Sequence, residues 1–166
     1  HLRCKAEHEQ SIYDDLEWLG LKWPLPVRRQ SEHFDDYAAA LSTLETQGLL
    51  YPCFCSRKDI KAEIAESTRA PHLRPKLGPE GIIYPGICRP LSADERAEKI
   101  ASGIPHAMRL DMEKALSLVS DPLYWTDLKT GEQLADPAML GDVVLARKDF
   151  PTSYHLSVVI DDHLQN

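Results

Sequence analysis

No run of apolar residues in this 166-residue chain approaches the roughly 20 needed to cross a bilayer, and no apolar signal core follows His1, Leu2, Arg3 and Cys4. These absences argue against a membrane partner and point to a cytoplasmic setting. An initiating Met is lacking too, and the residues therefore read as an internal piece of a longer protein. Glycine is sparse, with 8 residues against 12 prolines, too little punctuation for a low-complexity chain, and no internal repeat is present. Net positive charge is also lacking: at -7 the whole surface does not attract nucleic acid indiscriminately.

What is present is globular. Hydrophobic residues make up 43% and charged residues 27%, enough for one main body with an insertion. The charge is unevenly placed, with nine basic and seven acidic side chains in residues 51–100 and acidic excess on either side. Within that middle, Arg57, Lys58, Lys61, Arg69, Arg74 and Lys76 face Asp59, Glu63 and Glu66. The segment reads either as a solvated mixed-charge helix and loop or as a local phosphate-contacting surface.

Helical and extended periods alternate along the chain. Ile12, Leu16 and Leu19, with Tyr13 and Trp18 beside them, predict an amphipathic helix over 4–19 that Gly20 ends. Residues 26–31 read as a short extended piece, with Ser31 as N-cap of a second helix over 32–47 that Gly48 stops. Helix, strand, helix, then Leu49, Leu50 and Tyr51 indicates an α/β fold. Ser56 caps a third helix over 57–66, and residues 67–82 form a Pro- and Gly-rich loop tied at its far end by Tyr84 and Cys88. Ser92, with Glu95 three residues on, predicts a capping box at the start of another short helix. Residues 106–110 and 123–127 alternate as strands, the second entering a hairpin through a turn at 129–132. Residues 141–147 read as a strand whose apolar centre suggests burial on both faces in a parallel sheet. Residues 154–160 read as a short helix.

The chemistry gathers where Tyr51-Pro52-Cys53-Phe54-Cys55-Ser56-Arg57 is answered by Tyr84-Pro85-Gly86-Ile87-Cys88-Arg89. Disulfides are rejected: Cys53 and Cys55 are too close to pair with each other, and Cys4 has no near partner. Alternate residues of an extended chain point to one side, so Cys53 and Cys55 can bite one ion and Cys88 can supply a third thiolate. Zinc takes four ligands in a structural site, and the candidates for the fourth are Tyr84 and His72. On chemistry alone His72 is favoured, because a phenol with an ordinary pKa near ~10 has to be lowered by the metal. Read singly, each cysteine is a small buried thiol; three in one stretch bracketing a Pro-rich loop point to metal. Cys4 reads as an ordinary helix-face residue.

These two runs, together with 26–37, the Asp-Leu-Glu-Trp-Leu-Gly-Leu run at 15–21, the Gly141-Asp142-Val143-Val144-Leu145-Ala146-Arg147 run and the stretch from Tyr154 to Asp162, carry a resemblance. The chain resembles the glutamyl-queuosine tRNA(Asp) synthetases, short relatives of glutamyl-tRNA synthetase. The resemblance implies a Rossmann-type class I catalytic core over 1–50 and 141–166. It implies a zinc-binding insertion at 51–90 and a connecting helix and hairpin lobe at 91–140. It implies that Tyr84, rather than His72, completes a structural zinc site with Cys53, Cys55 and Cys88, and that Tyr154 lines a glutamate pocket. It implies a monomer that activates L-glutamate with ATP and Mg²⁺ and passes it to the queuosine base of tRNA(Asp), without an anticodon-binding domain.

The family's His-x-Gly-His-like ATP signature and its amino-group-binding Glu are not in this sequence, and its glutamate-pairing Arg and Lys-rich ATP loop are expected beyond Asn166. No catalytic residue is therefore assigned in this piece, and the piece alone is expected not to turn over. Two other readings remain open: a glutamyl-tRNA synthetase fragment, and a zinc-stabilised RNA- or protein-binding module without catalysis.

Overall fold

A computed structural model of the chain describes residues 5–69, 76–79 and 81–165, without the side chains of 67–69. Two units divide it, His1–Glu32 and His33–Asn166.

In the first unit, helix α1 (Ala6–Trp18) forms where the apolar period predicts it. Gly20 ends it at φ 75°, a left-handed conformation open to glycine, while the N–H groups of Leu19 and Leu21 donate back to the Asp15 and Leu16 carbonyls. None of its residues is buried. Its Tyr13 ring stacks on Trp23 at 5.7 Å, and the Tyr13 hydroxyl and Arg29 Nε both donate to Glu9, at 2.8 and 2.7 Å. The extended piece expected at 26–31 is irregular instead, closing in a 3-10 turn over Gln30–Glu32. Pro24 and Pro26 withhold two backbone donors there, and among the described residues no strand pairs with this segment. Ser31 lies inside that turn rather than capping the next helix.

In the second unit, α2 (Phe34–Thr46) starts after His33, two residues later than expected, and Gly48 at φ 69° turns the chain into strand β1 (Leu50–Cys53). Helix α3 (Arg57–Arg69) has a reciprocal start: Asp59 N–H donates to Ser56 Oγ at 3.2 Å and Ser56 N–H to the Asp59 carboxylate at 2.7 Å. A two-residue ladder joins β2 (Leu77–Gly78) and β3 (Gly81–Ile82). Helix α4 (Ala93–Ala101) carries the expected capping box of Ser92 and Glu95. Strand β4 (Ala107–Leu110), short helix α5 (Met112–Ser117) and the hairpin β5 (Tyr124–Asp127) and β6 (Gly131–Leu134) follow. Strand β7 (Val144–Ala146) and helix α6 (Tyr154–Gln165) close the unit, α6 running longer than the short helix expected at 154–160.

The main sheet has the order β1-β4-β7, and both pairings are antiparallel. This corrects the parallel placement of residues 141–147. An unbroken apolar run reports burial, not strand direction, and the burial here comes from helices packed on an antiparallel sheet. Tyr37 of α2, Leu145 of β7 and Leu156 of α6 form the core, with Phe34, Leu41, Leu110 and Val143 against them. Tyr37 is fully buried, and its hydroxyl donates to the Asp161 carboxylate at 2.8 and 3.0 Å, which pins α2 to α6. A second cluster forms at the far end of β1, around Tyr51, Cys53 and Cys88.

Candidate metal centre

Strand β1 delivers Cys53 in extended backbone, and one residue of alternation later Cys55 faces the same side just before α3 begins. The third thiol comes from a tight turn, in which Arg89 N–H donates to the Gly86 carbonyl at 2.9 Å. Gly86 has φ 80°, and a Cβ there would meet the Arg89 guanidinium at 3.0 Å. This turn folds Tyr84 back over Cys88, whose N–H donates to the Tyr84 Oη at 2.9 Å.

Four ligand atoms converge. The three sulfurs lie within 4.8 Å of one another, with Cys55 Sγ 3.3 Å from Cys88 Sγ. Tyr84 Oη is 3.4 Å from Cys53 Sγ and 3.6 Å from Cys55 Sγ. A tetrahedron with Zn–S legs of about 2.3 Å and an oxygen leg of about 2.0 Å has edges of roughly 3.5–3.8 Å; the donor set fits zinc in kind, and the separations of 3.3, 3.4 and 3.6 Å lie close to those edges. Cys53 and Cys88 are buried, and Cys55 is half-buried. His72, the competing fourth ligand, and Cys4 lie outside the described residues.

Burial, with the neighbouring Cys88 and Cys53 sulfurs, pushes the Cys55 thiol up to about 12. Burial and the Cys53 contact push the Tyr84 phenol well above its ordinary range. Burial also acts to raise Cys53, but hydrogen bonding with Tyr84 and the Arg109 guanidinium outweighs it and holds that thiol below its usual value. Metal binding at these ligands must therefore displace protons.

Behind the ligands stands a polar scaffold that ligand spacing alone does not reveal. The Arg109 guanidinium lies 3.8 Å from the centroid of the Tyr84 ring, and its Nη1 donates to the Asp142 carbonyl at 2.6 Å. The buried Asp142 carboxylate accepts the Tyr51 hydroxyl and the Met112 N–H, the latter at 3.1 Å, and lies 3.6 Å from Arg89 Nε. Burial, then the Asp142 hydrogen bond, holds the Tyr51 phenol far above its ordinary value. A signal existed for Asp142, a carboxylate opening an apolar strand. Arg109 becomes visible through the β1–β4 register, which sets it opposite Tyr51. Tyr84, Arg89, Met112 and Asp142 also line a groove of about 600 Å³.

The other predicted positions are not among the converging atoms, though Lys76 lines the same groove as Tyr84 and Asp142. Tyr154 opens α6 with its ring 74% exposed, edge-on to His155 at 6.1 Å. Arg57, Lys58, Lys61 and Lys76 are solvent-exposed, whereas Arg74 and the Arg69 side chain fall outside the described residues. Among the described residues no helix is long and apolar enough to cross a membrane.

This α/β architecture is that of a class I aminoacyl-tRNA synthetase catalytic domain. Residues 1–166 match the family described as "tRNA synthetases class I (E and Q), catalytic domain", and the chain belongs to that family. Within it, the chain is similar to the glutamyl-Q tRNA(Asp) synthetase of Rhodobacter capsulatus, with 39% identity over 98% of this chain and 57% of the relative. It is similar also to the protein of that name from Deinococcus radiodurans, with 43% identity over 90% of this chain and 43% of the relative. A glutamate–tRNA ligase of Coprothermobacter proteolyticus is 30% identical over 97% of this chain and 32% of its own length. These relatives are ligases of the aminoacyl-tRNA synthetase type, and the chain spans about half the length of the glutamyl-Q relatives it matches. The crystal structure of a glutamate tRNA ligase from Elizabethkingia meningosepticum in complex with its amino acid superposes with a TM-score of 0.71 over 99% of this chain and 33% of that one. At 21% identity that likeness speaks for the fold.

Proposed function

We propose that the chain is the zinc-bearing part of a glutamyl-Q tRNA(Asp) synthetase. The observation that carries this reading is the convergence of Cys53, Cys55, Cys88 and Tyr84 in a chain 39% identical to a protein of that name. In the whole protein, a glutamate carboxylate oxygen attacks the α-phosphorus of ATP and pyrophosphate leaves, a step in which Mg²⁺, when bound, would offset phosphate charge. A hydroxyl of the queuosine ring on tRNA(Asp) then attacks the acyl carbon and loses its proton, while the bond from the acyl carbon to the phosphate oxygen breaks and AMP departs. Class I activation of this kind rests on positioning and on preorganised charge rather than on a covalent protein intermediate.

Zinc, when bound, would supply a crosslink. Cys53, Cys55, Tyr84 and Cys88 would hold it and so keep the ends of the segment between Cys55 and Tyr84 together. We assign residues 51–90 to this insertion, 91–140 to a connecting lobe, and 1–50 and 141–166 to the Rossmann-type core. Tyr154, exposed at the head of α6, lines the glutamate pocket of the assembled protein.

The experiment is glutamate-dependent ATP–pyrophosphate exchange and tRNA charging. The whole protein is expected to charge queuosine-bearing tRNA(Asp) and not tRNA(Glu), in the cytoplasm and as a monomer, and the 166 residues alone are expected to show no exchange. Charging of tRNA(Glu) would move the protein to the glutamate–tRNA ligases, which the Coprothermobacter relative represents. Salt-dependent RNA binding with no exchange by the whole protein would make it a binding module. Zinc is checked by elemental analysis: one ion per chain is expected, and none in the Cys53→Ser, Cys88→Ser double variant.

A further inference from the structure

One strong charge beside the thiols has no part in the ligand set. Arg109 stands on β4 opposite Tyr51, and Ala107, two residues earlier, stands opposite Cys53, so the β1–β4 register carries the guanidinium to the edge of the metal site. Its plane lies 3.8 Å from the Tyr84 ring centroid. Nη1 is spent on the Asp142 carbonyl, while Nε is buried and, among the described residues, has no hydrogen-bond partner. The Asp142 carboxylate is occupied by Tyr51, Met112 and Arg89. Among the described residues, no carboxylate forms an ion pair with Arg109.

A guanidinium keeps its proton in proteins, so a partly buried one calls for a counter-charge. Three thiolates and a phenolate around a divalent zinc carry a net charge of about -2, by the ordinary charges of those ligands. The two deficits are adjacent and opposite in sign.

We propose that Arg109 is the positioning residue and counter-charge of the metal centre: it clamps the Tyr84 ring against the three cysteines and offsets the negative charge that the ligands acquire when zinc is bound. This inference rests on the reading that Cys53, Cys55, Tyr84 and Cys88 hold zinc. A guanidinium over the ring face favours the phenolate and restricts ring rotation at once. A merely structural Arg109 would support the protein equally with and without metal.

The test is zinc affinity by competition with a chromophoric chelator at pH 7, alongside thermal melting of the zinc-free protein. Arg109→Met removes charge and plane. Arg109→Gln keeps an amide donor for the Asp142 carbonyl but no charge, and it decides the matter if Arg109→Met does not fold. Arg109→Lys restores the charge. The neutral variants are expected to bind zinc about 10- to 100-fold more weakly, the size of effect that outer-shell partners have. Arg109→Lys should recover most of that loss. In a Tyr84→Phe background, where one ligand charge is gone, the penalty of losing Arg109 should shrink to a few-fold. Equal zinc affinity in wild type and Arg109→Gln would overturn the proposal, and so would a penalty unchanged by Tyr84→Phe. A wild-type protein that binds no zinc would overturn the metal reading itself, a result visible before any substitution is made.

Discussion

Tyr37, between α2 and α6, gives its hydroxyl to both oxygens of the Asp161 carboxylate at 2.8 and 3.0 Å, whereas Tyr84 sets its oxygen 3.4 and 3.6 Å from two sulfurs and accepts the Cys88 N–H. The first arrangement is a charge-assisted hydrogen bond inside a packed core, complete within the chain. In the second, a phenol meets thiols, weak partners in hydrogen bonding but strong ligands once deprotonated. The difference separates a tyrosine whose hydroxyl is satisfied by a carboxylate from one set against thiols, the arrangement on which the proposed metal site rests. Tyr51 is of the first kind, since it too gives its hydroxyl to a buried carboxylate, that of Asp142.

Substitutions can break or sharpen this contrast. The largest loss is expected from Asp142→Ala, which strips the acceptor from Tyr51 and from the Met112 N–H and leaves Arg89 without a buried partner. Removing one member of a buried charged network costs about 3–5 kcal/mol. Chemical denaturation of the zinc-free protein measures it, and a loss under 1 kcal/mol would show the scaffold behind the cluster to be slack. Tyr37→Phe comes next, at about 1.5–3 kcal/mol for a hydrogen bond to a charged group. Tyr84→Phe without metal should cost less, about 1 kcal/mol for the one N–H bond its oxygen accepts. With zinc added, the order of these two should reverse in the metal-dependent part of stability. If Tyr37→Phe and Tyr84→Phe respond alike to zinc, the distinction between them fails.

An effect as small as that of metal-free Tyr84→Phe is expected at α4. Ser92→Ala should cost about 1 kcal/mol by loss of the capping box. Glu95 is held below its ordinary 4.5 by the Ser92 N–H first and the Ser92 hydroxyl second. A carboxylate lowered in the folded state adds stability above its unfolded pKa, and that contribution fades as pH falls through the lowered value. The gap between wild type and Ser92→Ala in thermal melts should therefore be widest above pH 4.5 and narrow below it.

The approach of Cys53, Cys55 and Cys88 was legible in the sequence because metal chemistry restricts the residue types and the x-spacing restricts the geometry. Helix ends at Gly20 and Gly48 and the caps at Ser56 and Ser92 were legible for the same local reasons. Ser31 carried the right side chain for a cap, yet the backbone entered a 3-10 turn around it. The direction of β7 was not legible, since an apolar run has no polarity along the chain. Arg109 and Asp142 reach the cluster from residues far along the chain through strand register, which no local pattern states. Tyr154 is singled out by resemblance to a family alone, and its exposed position at the head of α6 offers no local geometry from which a substrate role would follow.

Tyr84, with Cys53, Cys55 and Cys88, is expected to enclose one zinc. X-ray absorption at the zinc edge of the metal-loaded protein tests it most directly. A shell of three sulfurs at about 2.3 Å and one oxygen at about 2.0 Å is expected, without imidazole scattering. An imidazole signal, as His72 would give, or a protein that retains no zinc, would contradict it.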